Sequence, residues 1–294
     1  IIELANGCIC CTVADDFLPT MQQLLAQDPP PDHIVIETSG LALPQPLVQA
    51  FNWPDIRASV RLDGVITLVD GPAIQAGGFV QDMAALDAQR QADEELDHES
   101  PIEELFSDQL EAANLILLSK SDLLDAEAIA SVSQTISQSL SHKTPIVPVS
   151  AHTASLPALL GLGLEDEAFA RSAHSHHHHH DDHDHDHHHH EHGHDAFESR
   201  ILILPALEDG PAFVGKLSDV AEEFGVLRAK GRLAVTGKML PLIVQAVGRR
   251  VDSYFGKAGP KDRNDGTSAL VVIGASGMDF EGIASALGGS WQSA

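Results

Sequence analysis

The sequence predicts an α/β fold, in which a mostly parallel sheet flanked by helices is followed by a second, smaller α/β unit. Short apolar runs bounded by turn residues alternate with stretches of helical periodicity, which is the pattern of βαβ units. Several of these runs end directly in polar motifs, and ligands of parallel sheets bind at the carboxyl ends of the strands. A tract made almost entirely of His and Asp separates the two units. We therefore expect domains at residues 1–165 and 199–294, joined by a metal-binding segment at 166–198.

Four apolar runs of the first unit are predicted strands, at residues 33–36, 64–70, 115–118 and 145–149. Each run is short and lies between turn residues, which favours strands that are buried on both faces of a parallel sheet. Helical spacing of apolar residues predicts helices at residues 15–26, 101–113 and 126–140. Asp15 or Asp16 is in position to cap the first of them.

The second unit carries both kinds of pattern over fewer residues. Its predicted strands are residues 201–204, 227–236, 240–247 and 269–273, and its predicted helices are residues 212–224 and 280–287. The second and third of these strands are close enough in sequence to pair with each other. A small α/β sandwich is the expected architecture, with a polar loop at residues 256–267.

Composition and charge restrict the class of protein. No stretch approaches the roughly 18 apolar residues of a membrane span, and no leader sequence precedes the first run, so we expect a cytoplasmic protein without a membrane partner. The formal net charge of −26 argues against nucleic acid and anionic membranes, whose phosphates need basic residues. The same charge suits a protein that attracts cations, and it equally suits an acidic surface that keeps a protein in solution.

All three cysteines lie in one turn-like stretch near the start of the chain, as Cys8, Cys10 and Cys11. An odd number of thiols this close together cannot form an ordinary set of structural disulfides. Adjacent thiolates on a tight turn suit zinc, cobalt or copper(I), so we predict these three residues as metal ligands. The alternative is three small buried apolar side chains, which free cysteines often are, but their clustering disfavours it.

The first polar motif, Glu37-Thr38-Ser39-Gly40, follows the predicted strand at residues 33–36. An acidic residue at the end of a buried strand can hold Mg²⁺, and a glycine three residues later can offer its backbone N–H to a γ-phosphate. We therefore predict Glu37 and Gly40 as catalytic residues. An exposed turn without a function is the alternative.

The second polar motif, Ser119-Lys120-Ser121-Asp122, follows the predicted strand at residues 115–118 and is similar to the N-K-x-D motif of GTPases. In that motif the Asp accepts hydrogen bonds from guanine N1 and N2, and the Lys stem packs on the base. Ser119 stands where the motif has Asn, so weaker selectivity for guanine is expected. The alternative is that Asp122 caps the helix that follows.

Two further elements bear on a nucleotide site. Ser150 and Ala151 follow the last predicted strand and resemble the turn whose backbone N–H contacts the guanine base. A phosphate-binding loop, G-x-x-x-x-G-K-[ST], should complete the site, but the nearest match, Gly210–Lys216, is followed by Leu217 and reads as a plain amphipathic helix. Because the chain opens without Met on a strand-like run, we expect a preceding segment to carry this loop, and we expect this chain alone to be inactive.

The His/Asp tract at residues 173–195 has no apolar residue to bury, so it is expected to be a disordered loop. Its imidazoles can bind several exchangeable divalent ions, although a merely solubilising tract is the alternative. The predicted ligands of the tract are His176, His177, His178, His179, His180, His183, His185, His187, His188, His189, His190, His192 and His194.

Taken together, these motifs resemble the CobW-type metallochaperone GTPases over nearly the whole chain. The resemblance rests on residues 6–11, 37–42 and 119–122, the His-rich tract and the small C-terminal domain. The segments that resemble the CobW branch of aerobic cobalamin biosynthesis are residues 12–17, 43–47, 51–54 and 248–255.

This resemblance implies a SIMIBI-type P-loop GTPase that uses GTP and Mg²⁺, in which the three cysteines hold a cargo metal while GTP keeps the switch regions closed. Glu37 would take the Walker B position, and Lys120 and Asp122 would read guanine. Hydrolysis would release the metal to a client metalloprotein, which for CobW is the cobaltochelatase, so cobalt(II) is the expected cargo. Thiolates bind zinc as readily, which leaves a zinc chaperone or metallocentre activator open. A non-enzymatic metal buffer based on the His/Asp tract also stays open.

Overall fold

The computed structural model describes residues 2, 17–38, 40–80, 84–86, 88, 102–150, 197–256 and 267–292. The chain divides into two compact units, Ile1–His142 and Lys143–Ala294. A three-stranded parallel sheet and a six-stranded antiparallel sheet, each with helices, confirm the predicted α/β class. The predicted domain boundary after residue 165 lies outside the described residues and stays a prediction. Among the described helices, none is long and apolar enough to cross a membrane.

The parallel sheet carries the polar motifs of the first unit at its strand ends. Its strands, in spatial order, are β1 (Ile66–Asp70), β2 (Leu115–Ser119) and β3 (Ile146–Pro148). β1 and β2 pair in parallel, so that Asp70 lies opposite Ser119 at their carboxyl ends. The apolar run of the central strand is buried, as expected for a strand covered on both faces. The strands predicted at residues 64–70, 115–118 and 145–149 are confirmed.

Helices surround this sheet and form a small core of their own. In the described residues before β3 they are α1 (Leu18–Leu25), α2 (Pro44–Ala50), α3 (Pro54–Arg57), α4 (Gly71–Gln75), α5 (Ile102–Glu111) and α6 (Ala126–Ser139). Buried Phe17, Met21, Leu47 and Ile56 pack together where α1, α2 and α3 meet. The three predicted helices are confirmed, and each ends one or two residues earlier than predicted. α2, α3 and α4 are too short to show a helical period in the sequence.

One strand predicted near the start of the chain is wrong. Residues 33–38 form no strand, because Ile34 and Ile36 pack against the core of α1–α3 while Val35 is 72% exposed. A short apolar run does not distinguish a strand buried on both faces from an extended segment with one face on a helical core. Asp15 and Asp16, the predicted caps of α1, lie outside the described residues, so that this cap stays a prediction. The described helix follows Phe17 and has a proline in its first turn.

Beyond β3, the second unit is an antiparallel sheet with two helices. Its strands are β4 (Phe197–Leu204), β5 (Arg228–Leu233), β6 (Leu242–Val247), β7 (Arg250–Phe255), β8 (Ser268–Ala275) and β9 (Ser290–Trp291), in the spatial order β7-β6-β5-β8-β4-β9. Its helices are α7 (Gly210–Phe224) and α8 (Phe280–Leu287), whose apolar residues share one buried core with the sheet. The predicted pairing of β5 with β6 is confirmed. The predicted polar loop falls mostly on residues outside the described part.

The P-loop-like segment of the second unit is helical, as predicted. Gly210–Lys216 lies inside α7, which Asp209 caps by accepting a hydrogen bond from the Ala212 N–H at 3.0 Å. In a helix the backbone N–H groups beyond the first turn are already bonded. The segment therefore cannot cradle a phosphate as a P-loop does.

A carboxylate at the end of α5 makes one part of the first unit sensitive to pH. Glu111 accepts hydrogen bonds from Ser141 N at 2.6 Å and Ser141 Oγ at 2.8 Å, and His142 Nδ1 lies 3.1 Å away. The bonds from Ser141, and then the charge of His142, lower the pKa of Glu111 below its ordinary value of 4.5. A lowered native pKa stabilises the fold above the ordinary pKa, and this contribution is lost as pH falls through the native pKa.

We accordingly expect Glu111→Gln to lower the melting temperature by about 2 °C at pH 7, as for the loss of one modest hydrogen bond. The difference from the parent protein should shrink at a second, acidic pH, because the carboxylate becomes protonated as pH falls through its native pKa. Thermal unfolding followed by circular dichroism at both pH values measures it. Glu104→Gln, an exposed change on the same helix, serves as the control. An equal deficit at both pH values would contradict the assignment to the charged form.

Candidate functional site

The turn after β2 presents an exposed carboxylate, that of Asp122. Lys120 adopts the left-handed conformation, with φ 56° and ψ 31°, and leads into a short 3₁₀ helix, Ser121–Leu123. Asp122 is exposed and makes no hydrogen bond to another described residue. The following helix, α6, is capped by Asp125, whose Oδ1 accepts from the Ala128 N–H at 2.8 Å. The alternative role of Asp122 as a helix cap is therefore wrong, and its carboxylate is free to accept hydrogen bonds from a ligand.

Side chains at the end of β1 hold this turn in place. Lys120 Nζ lies 2.6 Å from Asp70 Oδ2, and Asp70 Oδ1 accepts from the Ala73 N–H at 3.1 Å. Ser119 Oγ donates to the Val69 carbonyl at 2.8 Å. Left-handed backbone is unfavourable for lysine, so its presence needs support from the surroundings. The two bonds to β1 supply that support. One of them is made by Ser119, which stands where the N-K-x-D motif has Asn.

Gly71 lets the two strand ends approach each other. A Cβ at this position would lie 2.9 Å from Leu124 Cδ1 and 3.0 Å from the Ser119 carbonyl oxygen. The leucine methyl can move aside, but the contact with the backbone carbonyl is tighter than most real side chains make. A larger residue at the start of α4 would therefore press on the backbone of the turn after β2.

The third strand end carries only one describable candidate. Ser150 lies two residues beyond β3 and is 8% exposed. Ala151, the other predicted residue of this turn, is outside the described part of the chain. Their roles at a base-binding turn remain predictions.

Glu37 and Gly40 lie before α2, on backbone without regular secondary structure. Both are exposed, and Glu37 makes no hydrogen bond or ion pair to another described residue. A Cβ at Gly40 would meet no atom within 4 Å, so the fold itself does not demand glycine there. The Gly40 and Ala42 carbonyl oxygens each accept from Gln109 Nε2 of α5 at 2.9 Å. The strand whose end was expected to carry Glu37 is absent, so the catalytic roles of Glu37 and Gly40 remain predictions.

The predicted metal ligands cannot be placed. Cys8, Cys10 and Cys11, like every histidine of the tract, lie outside the described residues. Within the residues that the structure does describe, no group of three or more His, Cys, Asp or Glu side chains is arranged to hold a metal ion. The metal site therefore rests on the sequence pattern.

Sequence reasoning missed the residues that position the turns. Asp70 ends an apolar run and precedes Gly71-Pro72, which is a recognisable sequence signal for a capped helix start. That signal predicts the hydrogen bond that Asp70 accepts from Ala73, but it does not predict the ion pair of Asp70 with Lys120. Gln109 gives no local signal, because its partners lie 67 and 69 residues away in the sequence.

Two family models match the chain. The model described as CobW/HypB/UreG, nucleotide-binding domain, matches residues 1–148. The model described as Cobalamin synthesis protein cobW C-terminal domain matches residues 208–290. Both units are therefore accounted for by known protein families.

Curated relatives match nearly the whole chain. Zinc chaperone CobW of Sinorhizobium sp is 48% identical over 98% of this chain and 79% of its own length. Zinc chaperone CobW of Pseudomonas aeruginosa is 47% identical over 93% of this chain and 71% of its own length. Among solved structures, the Zn(II)-bound YjiA GTPase from E. coli is 22% identical, with a TM-score of 0.32, over 93% of this chain and 74% of its own.

Proposed function

Because the chain belongs to the CobW/HypB/UreG family of GTPase metallochaperones, we propose that it carries zinc at its cysteine motif and releases it when GTP is hydrolysed. The observation that best supports a nucleotide-driven function is the turn after β2, where Asp122 is exposed, makes no bond to another described residue and follows a left-handed Lys120. A rigid turn with a free carboxylate is what reading the N1 and N2 donors of guanine requires.

Zinc is preferred over cobalt as the cargo. The sequence segments of the cobalamin branch led to the expectation of cobalt(II), but the two extensive relatives are both named zinc chaperones. Thiolate ligands accept either ion, so the chemistry of the three cysteines alone does not decide. Delivery of cobalt(II) to a cobaltochelatase is the second candidate, and a zinc-dependent metalloprotein is the corresponding client of the first.

The nucleotide site is assembled from strand ends and the segment before α2. Asp122 accepts the two guanine hydrogen bonds, and the Lys120 stem, held by Asp70, packs on the base. Ser150 and Ala151 offer backbone groups to the same base. Glu37 holds Mg²⁺, which when bound neutralises charge on the β- and γ-phosphates. The Gly40 N–H donates to the γ-phosphate.

The metal site is coupled to the nucleotide through a difference in affinity. GTP can drive release only if Cys8, Cys10 and Cys11 bind zinc more tightly in one nucleotide state than in the other. The His/Asp tract then holds further exchangeable ions. Free thiolates of this kind need a reducing compartment, which supports the cytoplasm.

The experiment that tests this function is a competitive metal titration of the complete gene product, with and without a non-hydrolysable GTP analogue and Mg²⁺. We expect the analogue to raise the zinc affinity by about tenfold or more, within the usual range of couplings between sites, and to raise the cobalt affinity less. A larger gain for cobalt would favour the second candidate. Equal affinities with and without nucleotide would leave only a metal buffer.

The expectation that this chain alone is inactive is not supported, because the nucleotide-binding family model matches residues 1–148. The segment nearest to G-x-x-x-x-G-K-[ST] is helical, so other groups of the nucleotide-binding domain have to hold the phosphates.

Replacing Gly40 by alanine isolates the phosphate contact from the fold. The added methyl meets no atom within 4 Å, so the melting temperature should not change. The methyl would lie next to the N–H proposed to reach the γ-phosphate, and we expect kcat for GTP to fall by about 100-fold, as for the removal of one donor at a developing charge. Phosphate release and thermal unfolding measure the two effects. Unchanged hydrolysis would remove Gly40 from the site.

A further inference from the structure

The side chain of Gln109 ties α5 to the segment that contains Gly40. Its Nε2 donates to the Gly40 carbonyl oxygen and to the Ala42 carbonyl oxygen, both at 2.9 Å. A primary amide has two N–H donors, so both are used on this one stretch of backbone. The clamp therefore fixes two carbonyl groups that lie two residues apart.

Gln109 is itself anchored to the sheet. Its main-chain carbonyl accepts a hydrogen bond from Thr67 Oγ1 at 3.0 Å. Thr67 lies within β1, where it is paired with Ile116 of β2. The same strand ends at Asp70, which holds Lys120. β1 thus anchors two features. Its end holds the turn that is proposed to read guanine, and its middle holds the Gln109 clamp on Gly40.

The clamped segment begins at an exposed glycine and continues into buried side chains, since Leu41 and Ala42 are 6% and 2% exposed and Leu41 packs with Leu86 and Leu105. Residues 40–43 contain a turn and no helix or strand, and Gly40 is not restricted by neighbouring atoms. An unrestricted glycine loses more conformational freedom on ordering than any other residue. Two ordinary hydrogen bonds shift such a segment towards one conformation by about tenfold or more.

We propose that Gln109 is a positioning residue of the GTPase site, which fixes the backbone of Gly40–Ala42 so that Gly40 meets the γ-phosphate. This inference rests on the proposed function of Gly40. Gln109 acts through backbone and touches no part of the nucleotide. Its loss should therefore affect the chemical step more than nucleotide binding.

The test compares steady-state GTP hydrolysis by the complete protein and by Gln109→Glu. Glutamate has nearly the same shape but no donor at neutral pH, and it places a negative charge against two carbonyl oxygens. We expect kcat to fall by about tenfold, with the KM for GTP changed by less than twofold and the preference for GTP over ATP unchanged. A residue that merely stabilised the fold would not separate kcat from KM.

A matched control and a second variant accompany this change. Gln45→Glu alters a neighbouring exposed amide whose Nε2 makes only a long 3.5 Å contact with the Asp108 carbonyl, and it should leave kcat unchanged. Thr67→Val removes the anchor of Gln109 and should lower kcat by a smaller factor. The double variant should be no worse than Gln109→Glu alone, because both changes disrupt one chain of bonds.

The outcomes are distinguishable. Parental kcat in both Gln109→Glu and Thr67→Val, or a raised KM with parental kcat, would overturn the positioning role. If Gln109→Glu fails to fold, Thr67→Val decides the question. Absence of hydrolysis in the parent protein would refute the proposed function itself, and in that case the inference falls with it.

Discussion

Replacing Asp122 by asparagine is expected to lower the affinity of the complete protein for GTP by about 100-fold, because two charge-assisted hydrogen bonds to guanine are lost. The asparagine amide also turns donors towards the N1 and N2 donors of the base. Xanthine has a carbonyl where guanine has its 2-amino group, so the variant should prefer xanthosine triphosphate. Competition between labelled GTP and each unlabelled nucleotide measures both changes.

The structure explains why this variant reports on the nucleotide alone. The Asp122 carboxylate is exposed, makes no hydrogen bond to another described residue and caps no helix. Its removal therefore costs the fold nothing that the structure shows. An unchanged melting temperature should accompany the loss of affinity.

Asp125→Ala is the matched control, three residues further along. It removes the oxygen that accepts from the Ala128 N–H and so uncaps α6. Loss of such a cap costs about 1 kcal/mol and lowers the melting temperature by about 2–4 °C, while nucleotide preference stays that of the parent. The two variants should therefore show opposite results in the two assays. If Asp122→Asn binds GTP as the parent does, the turn after β2 does not read the base.

Local patterns were sufficient to predict much of the fold. The run that became β2 is uninterrupted and buried, and α6 and α8 have apolar residues at helical spacing with a capping aspartate before them. Failures arose where the local pattern was ambiguous. The run at residues 33–36 reads the same as β2, but its surroundings cover one face only. β7, with the sequence Arg-Val-Asp-Ser-Tyr-Phe, has too few apolar residues to be recognised.

At the candidate site too, features made by residues adjacent in sequence could be predicted, whereas contacts between distant residues could not. The motif at residues 119–122 was visible because its members are adjacent, and the structure then removed its alternative role as a helix cap. The bonds of Asp70 to Lys120 and of Gln109 to Gly40 join residues 50 and 69 positions apart. Such contacts are created by the packing of β1 beside β2 and of α5 against the sheet, so no pattern within a short stretch of sequence announces them.

Replacing Cys10 by alanine is expected to abolish the nucleotide-dependent part of zinc binding. Loss of an outer-shell partner of a metal site already costs 10–100-fold in affinity, so loss of one of three thiolates should cost about 1,000-fold in the presence of the GTP analogue. A chelator of intermediate affinity, present in excess, keeps the weaker sites of the His/Asp tract empty. The measurement is competition for zinc with and without the analogue.

Linkage gives this prediction a second, independent measurement. If GTP raises the zinc affinity by a given factor, zinc must raise the affinity for GTP by the same factor. Both factors should equal one in Cys10→Ala, whereas its GTP affinity without zinc should match that of the parent protein, because the guanine-reading residues are unchanged. His33→Asn, which alters an exposed imidazole close to Glu37, controls for a non-specific effect and should retain both couplings. If zinc and GTP still raised each other's affinity in Cys10→Ala, by equal factors different from one, the nucleotide-coupled metal site would lie elsewhere in the chain. Reciprocal coupling requires a metal site whose affinity changes with the bound nucleotide.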